Sequence, residues 1–455
     1  MNTLATTGGV ITHSRHTAGI TALLEWVVFA LFLLTPLADI SVGALAMAAG
    51  LSTGYDSEQK LVTLLPGMAF RGILLLFLVY LLWKRQKFAV LIGGGVITLV
   101  FALSEAIAMI QHQSLGEFIY GGTYVFKLVL IFVVFFYIAT ADVQAPLLRN
   151  GARVIRFSFA AYAFAIAIGH LTGFEYVTYG GLGSSGLMIQ GSANSISLIM
   201  LVGSGFIADA IARSENAKQR LWWSLVLASG FYSAALLLTK GAMLGVLLPT
   251  AAYAARALLN GRSPLPWLFG MIGLLAASVL ILVIDWNEVR IVKRFLDVIE
   301  YHGGDVVSAL FSGRLDFFVH GWSAFSEIYR PYEWLIGAGA AGARDAVGLF
   351  SGVTQGVESD FFDIGLVYGL LGFSITVILW LCVIKRALSV SFRPASAITH
   401  VLAFDIFLLT GLTIVAGHVL TSGLGGAILG LGIGLLFRQP ALPPEHSTTL
   451  AKVGN

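Results

Sequence analysis

The sequence predicts an all-α polytopic membrane protein of about twelve transmembrane helices with one large structured periplasmic loop. Three observations predict it. Of 455 residues, 57% are hydrophobic and 11% charged, with a mean hydropathy of +0.87, whereas a soluble domain carries about 25% charged residues. The apolar residues gather into runs that could each cross a bilayer, which takes roughly 17–25 residues. The basic residues fall in alternate loops.

The apolar runs lie near 21–41, 62–83, 88–110, 117–140, 154–171, 187–212, 220–238, 241–258, 265–285, 361–384, 397–416 and 419–437. The first has no small-residue cleavage site after it and reads as a retained helix. The run from 187 holds Gln190, Ser192, Asn194 and Ser195, which suits a kink or a cavity lining. Between the runs, basic residues cluster at Lys84–Lys87, Arg149–Arg156, Arg213–Arg220, Arg256–Arg262, Lys385–Arg393 and Arg438. Twelve spans put all of these on one face, which the positive-inside rule makes cytoplasmic, with both termini. The single cysteine, Cys382, excludes an internal disulfide and a cysteine metal cage. A net charge of +3 gives no reason to expect nucleic acid.

The chain divides into helices 1–9 over 1–285, a large loop over 286–360, helices 10–12 over 361–438 and a cytoplasmic tail over 439–455. Topology puts the loop outside. It is long and aromatic, with Trp286, Phe311, Phe317, Phe318, Trp322 and Trp334 among its rings. A long loop with apolar periodicity is usually structured and functional. Val289, Val292, Leu296 and Ile299 predict a helix at the membrane surface. A second helix is expected from near Ser308, with Leu315, Phe318, Trp322 and Phe325 on its packed side.

Several groups in and around this loop could carry chemistry. Arg290, Lys293 and Arg294 share one face of a helix, which suits a diphosphate but equally a lipid headgroup. Arg314 offers bidentate, permanently charged recognition of phosphate, or a salt bridge to Asp316 or Glu327. Arg344 is a further loop cation. Glu358, Ser359 and Asp360 stand where the loop returns to the membrane. A carboxylate half-buried there suits a general base, while Ser359 and Asp360 also suit a helix N-terminus. Gly337, Gly339 and Gly342 match the G-x-G-x-x-G pattern, but no βαβ unit follows, so a tight turn is expected instead of a nucleotide site. Gly426, Gly430 and Gly434 mark close helix packing. Glu25, Arg71, Glu105, Lys127, Asp209 and Asp405 lie in or near the spans, where charges usually face a cavity or a partner. Lys240 and His418 occupy outward-facing turns, placed for an external substrate or for ordinary snorkelling.

Four local patterns resemble the Wzy-type O-antigen and exopolysaccharide polymerases and the related O-antigen ligases. They are Gly186 to Asn194; Thr239-Lys240-Gly241-Ala242, with lysine where arginine is usual; Ser312-Gly313-Arg314 with Trp322 and the Trp334–Gly339 stretch; and Glu358-Ser359-Asp360 through Gly372. The ligases typically carry histidine where this chain has Glu358, which favours a polymerase. The resemblance implies a metal-independent glycosyltransferase without cofactors, in the bacterial inner membrane, acting on undecaprenyl-diphosphate-linked glycan. Membrane lipids and a chain-length regulator would be its other partners. Glu358 and Arg314 are the expected catalytic residues. Arg290, Lys293, Arg294, Lys240, Arg344, Asp360, His418 and Trp322 are the expected substrate-binding ones. The alternatives are a ligase passing glycan to a lipid A core and, from another class, a transporter or flippase using the intramembrane charges.

Overall fold

The computed structural model describes residues 7–48, 57–112, 115–178, 183–188, 193–259, 290–301, 303–305, 314–352, 359–393, 395–415, 417 and 419–438. Within them the chain is almost wholly helical. Eight helices come first: α1 (Thr7–Ala48), α2 (Ser57–Lys84), α3 (Phe88–His112), α4 (Leu115–Thr140), α5 (Pro146–Thr172), α6 (Ala193–Ala212), α7 (Ala217–Leu237) and α8 (Lys240–Leu259). The loop region holds α9 (Arg290–Tyr301), α10 (Arg314–Ser323), α11 (Pro331–Ile336) and α12 (Gly339–Ser351). Then come α13 (Asp360–Ser391), α14 (Ala397–Val415) and α15 (Gly426–Arg438).

Nine of the described helices are long and apolar enough to cross a membrane: α1 to α6, α8, α13 and α14. The chain is therefore an all-α polytopic membrane protein. Its outward-facing residues are apolar too, as at Leu76, Leu99, Ile110, Leu171, Ile378 and Leu381. In water such a surface would be a liability, and in lipid it is the solvated face.

Two expected runs come out differently and a third is not among the described residues. α7 has the length of a span, but Arg220, Trp222, Trp223, Ser224 and Tyr232 dilute its apolar character. The run 265–285 lies outside the described residues. The run expected over 419–437 holds a helix only from Gly426. Its first part is an unwound, buried segment held by Asp360, whose carboxylate accepts the Val419 and Leu420 amides at 2.7 and 3.1 Å and the Thr421 hydroxyl at 3.1 Å. Non-helical backbone at membrane depth needs such protein partners, because lipid offers none.

The start of α6 also moves. Helix was expected from 187, yet it begins at Ala193, after a hairpin pairing Val177 with Ser184 and Thr178 with Gly183. Gly186, at φ +56°, presses onto α5 so closely that any Cβ would overlap the Ile166 backbone.

The core lies where α4, α6, α13, α14 and α15 meet, with Leu128, Leu201, Leu366, Leu402 and Leu431 buried together. The expected small-residue packing of α15 is present. A methyl on Gly430 would stand 2.7 Å from the Ile131 carbonyl oxygen, and one on Gly434 would stand 2.5 Å from Ile138. These glycines let α15 lie directly on α4.

The part of the loop from α10 to α12 packs on the bundle. α13 is broken at Gly369 (φ 64°, ψ −168°), and the break is filled by the segment from Tyr329 to Ala340. The Tyr329 hydroxyl and the Ala338 amide both donate to the freed Leu366 carbonyl, at 3.0 and 3.3 Å. Ser104 on α3 donates to the Ile336 carbonyl. The buried Glu105 carboxylate accepts the Ala340 amide at the N-terminus of α12, at 3.2 and 3.3 Å, a favoured place for an acid. The tight turn expected over Gly337–Gly342 is confined to Gly337 and Ala338, and Gly339 already opens α12. Gly337 (φ +84°) and Gly339 (φ +70°) have no room for a side chain against Val367 and Ala108.

Candidate functional site

At the end of the bundle away from the basic loops, α4, α12 and α13 bring polar side chains together. On α4, Tyr120, Tyr124 and Lys127 fall at i, i+4 and i+7, so they share a face. The two tyrosine hydroxyls are 3.1 Å apart and their rings meet edge to face at 5.4 Å. The Arg344 guanidinium of α12 lies 5.5 Å over the Tyr120 ring, and the Lys127 ammonium 4.9 Å over the Tyr124 ring. Asp363 of α13 is within electrostatic reach of the Tyr124 and Tyr329 hydroxyls. Arg344 also stands 3.8 Å from Asp345, with its side chain 28% exposed. Its charge thus remains accessible at the cluster's rim.

Burial pushes the Tyr329 hydroxyl well up, with Glu333 and Asp363 adding to the effect. It stays a neutral donor to Leu366 throughout the physiological range. The floor of the docked segment is ordered by Glu333, which accepts the Arg330 amide at 2.7 Å and the Gln111 side-chain amide at 3.3 Å. The aromatics Trp322, Phe325 and Trp334 form a ladder, with ring centroids 6.1 and 5.9 Å apart and near-parallel planes.

A second polar group lies deeper, between α1, α2 and α5. Arg71 donates to both oxygens of Asp39 at 2.9 and 2.5 Å, and the Tyr162 hydroxyl donates to the same carboxylate at 2.5 Å. All three are buried. Lys127, a member of the outer cluster, is also within electrostatic reach of Arg71 in this inner one. A methyl on Gly423 would touch Lys127 at 3.4 Å, which places the unwound segment beside it.

The expected residues fall in different places. Arg344 joins the outer cluster. Arg314 opens α10 and is half-buried; that helix packs on α12 and α13, with Phe318 meeting Phe362 at 5.2 Å. Trp322 was expected on the packed side and is instead 62% exposed. The packed side of α10 runs instead through Phe317, Phe318 and the buried Gly321 and on to Ala324, which leaves Trp322, about 100° round the helix from Gly321, facing outward. Lys293 is exposed on α9, whose helical backbone sets Arg290, Lys293 and Arg294 on one face. Lys240 opens α8 and is exposed; beside it, Thr239 is bonded to Ser197 at 2.7 Å. Asp360 is 1% exposed and holds the 419–421 turn, so its carboxylate serves the fold. Glu358 and His418 lie outside the described residues.

No family model matches the chain, and no curated protein is significantly similar to it. The chemistry must therefore be inferred from the chain's own groups. Among the described residues no cluster of His, Cys, Asp or Glu could hold a metal ion. The outer cluster combines two cations, two tyrosine faces and an acid. Cations of this kind bind phosphate oxygens, and aromatic faces cover the apolar faces of sugars.

Sequence inspection missed Tyr120, Tyr124, Asp39 and Tyr162. The first two were visible as an i, i+4 tyrosine pair opening an apolar run. Asp39 was visible as an acid at the end of one.

Proposed function

We propose that this protein polymerises undecaprenyl-diphosphate-linked oligosaccharide repeats into O-antigen or exopolysaccharide at the periplasmic face of the bacterial inner membrane. The observation that supports it most is the outer cluster of Arg344, Lys127, Tyr120, Tyr124 and Asp363 beneath a docked, aromatic loop. The four sequence patterns resembling the Wzy-type polymerases run through the same parts of the chain. In this proposal twelve spans leave both termini cytoplasmic and residues 286–360 periplasmic.

An acceptor sugar hydroxyl attacks the anomeric carbon of the donor glycan, and the bond from that carbon to the diphosphate oxygen breaks. Glu358 takes the hydroxyl proton, and undecaprenyl diphosphate leaves with the bonding pair. Arg314, assisted by Arg344, Lys240 and the Arg290–Lys293–Arg294 face, stabilises the charge on the leaving diphosphate. Donors aimed at developing charge are commonly worth about 3–4 kcal/mol each, and a positioned base about 10²–10⁴ in rate. Trp322 and its stacked neighbours carry the glycan.

Most of the intramembrane charges that a transporter would use are already committed. Glu25 pairs with Arg85, Arg71 with Asp39, and Asp209 with Arg213 and Tyr253. Among the described residues the Asp405 carboxylate has no hydrogen-bond partner, which leaves it, with Lys127, as a candidate for transport.

The decisive experiment places the purified protein in liposomes with undecaprenyl-diphosphate-linked repeats and separates the products by length. A ladder is expected, lost in Arg314→Ala and in Glu358→Gln while both proteins still insert. Product formed only after adding lipid A core would make the protein a ligase. Sugar movement without a new glycosidic bond, dependent on Asp405, would make it a transporter.

A further inference from the structure

At the basic end of the bundle, where α1 packs on the start of α5, lies a cavity of about 600 Å³. Trp26, Gln144, Pro146, Arg149, Asn150 and Arg153 line it. Arg149 and Arg153 are one turn apart on α5, so both guanidinium groups can serve the same space. The charge there is poorly balanced. Among the described residues neither arginine pairs with a carboxylate, whereas Arg71, Arg85, Arg213 and Arg344 each have one. Arg149 contacts only a neutral group, the Gln144 side-chain oxygen at 3.2 Å. The nearby acid, Asp142, is turned to the Gln144 backbone amide at 3.0 Å. The first turn of α5 holds no acid and its N-cap residue, Ala145, has no capping side chain, so the positive end of the helix adds to the same field.

The surroundings say what kind of anion fits. Trp26 is 55% exposed and Leu23, one turn away, is 64% exposed. Phe157, one turn deeper than Arg153 on the same face of α5, is also exposed. The cavity mouth is therefore continuous with lipid-facing apolar surface, with an aromatic ring at the level where tryptophan favours the headgroup boundary. A soluble phosphate would need the cations but not this apolar border. We infer that the cavity binds the headgroup phosphate of an anionic phospholipid in the leaflet on the basic side, with Arg149 and Arg153 on the phosphate and Trp26 and Phe157 along its acyl chains. Basic pockets between helices on the cytoplasmic side are suited to such lipids. The inference needs no glycan chemistry, so it stands or falls separately from the proposed function.

Native mass spectrometry of the full-length protein in detergent, titrated with short-chain phosphatidylglycerol, tests this. Wild type should retain one phosphatidylglycerol in preference to phosphatidylcholine. Arg149→Gln with Arg153→Gln should weaken that retention about thirtyfold, at about tenfold per 1.4 kcal/mol and roughly 1 kcal/mol for each cation at a charged surface. Arg149→Lys with Arg153→Lys should restore most of it, which separates loss of binding from misfolding. Equal retention of both lipids, or unchanged retention in the glutamine pair, would overturn the inference. Competition by inorganic phosphate at the same concentration as the lipid would reassign the cavity to a soluble anion and overturn it too.

Discussion

The two polar groups inside this bundle use similar residues to opposite ends. The inner one, Asp39 with Arg71 and Tyr162, is closed: both carboxylate oxygens are bonded and every member is buried. The outer one, around Arg344, Tyr120, Tyr124 and Asp363, is more open: its cation lies over an aromatic ring, its nearest carboxylate is 3.8 Å away at Asp345, and its side chain is 28% exposed. A closed ion pair in lipid ties helices together, since breaking it strands a charge with nothing to solvate it. A partly exposed, loosely paired one can still meet a group that arrives from outside. Burial and the tightness of pairing, more than residue type, separate the structural group from the candidate site.

The comparison can be broken most forcefully at Arg71. Arg71→Leu leaves Asp39 buried without its cation and should cost about 3–5 kcal/mol, seen as a large loss of thermal stability in detergent. Asp39→Leu with Arg71→Leu should recover much of that loss, and a double variant no better than the single would mean the pair is not the link between α1 and α2.

The next effect is on the junction that holds the loop beside the open cluster. Gly369→Ala forces a side chain into φ +64° and against Gly337 and Leu335. The backbone strain alone should cost about 1–3 kcal/mol. Limited proteolysis should then cut within 329–342 faster than in wild type, while α1, α2 and α5 stay protected.

Arg344→Ala sharpens the contrast in the other direction. It should lower ladder formation by about 10²-fold, the loss of one donor to a developing charge, with a thermal midpoint close to wild type. A fall in stability matching that of Arg71→Leu would place Arg344 with the structural group.

The smallest effect concerns Tyr329. Removing its bond to the Leu366 carbonyl in Tyr329→Phe should cost about 1 kcal/mol. Because its folded-state pKa is raised by burial, its contribution is complete below the free tyrosine value of about 10 and is lost as pH rises beyond it. The gap between wild type and Tyr329→Phe, followed by proteolysis of the loop, should be constant from pH 7 to about 9 and shrink at higher pH. A gap that closes below pH 9 would remove the hydroxyl from the docking account.

Much of the fold could be read from the chain. Runs such as 88–110 and 397–416 became α3 and α14 almost residue for residue, because in lipid a backbone must satisfy its own hydrogen bonds and a long apolar run can do so only as a helix. The glycines of α15 announced their packing for the same local reason, since only small residues let two backbones touch. The unwound segment at 419–425 could not be read this way. Its apolar composition is that of a span, and it is chiefly the Asp360 carboxylate, about sixty positions away, that makes a non-helical path tolerable there, with the Ser422 hydroxyl taking the Gly425 amide. Trp322 was misplaced because the packed stripe of its helix runs through Gly321 and Ala324, small residues that give no apolar signal of their own. Of the candidate site, Arg344 was singled out as a cation, but Tyr120 and Tyr124 looked like ordinary members of an apolar run.

The sequence by itself determined that this is a helical membrane protein, which face carries the basic residues, and that the 286–360 region is rich in aromatic and charged groups. Those properties follow from composition and local period, which each segment carries alone. Only the tertiary structure decided that Asp39 neutralises Arg71, that Glu105 caps α12, and that the loop fills the break in α13 beside Arg344. Each of these joins groups far apart in the chain. What becomes of a buried charge depends on which partner the packing brings to it.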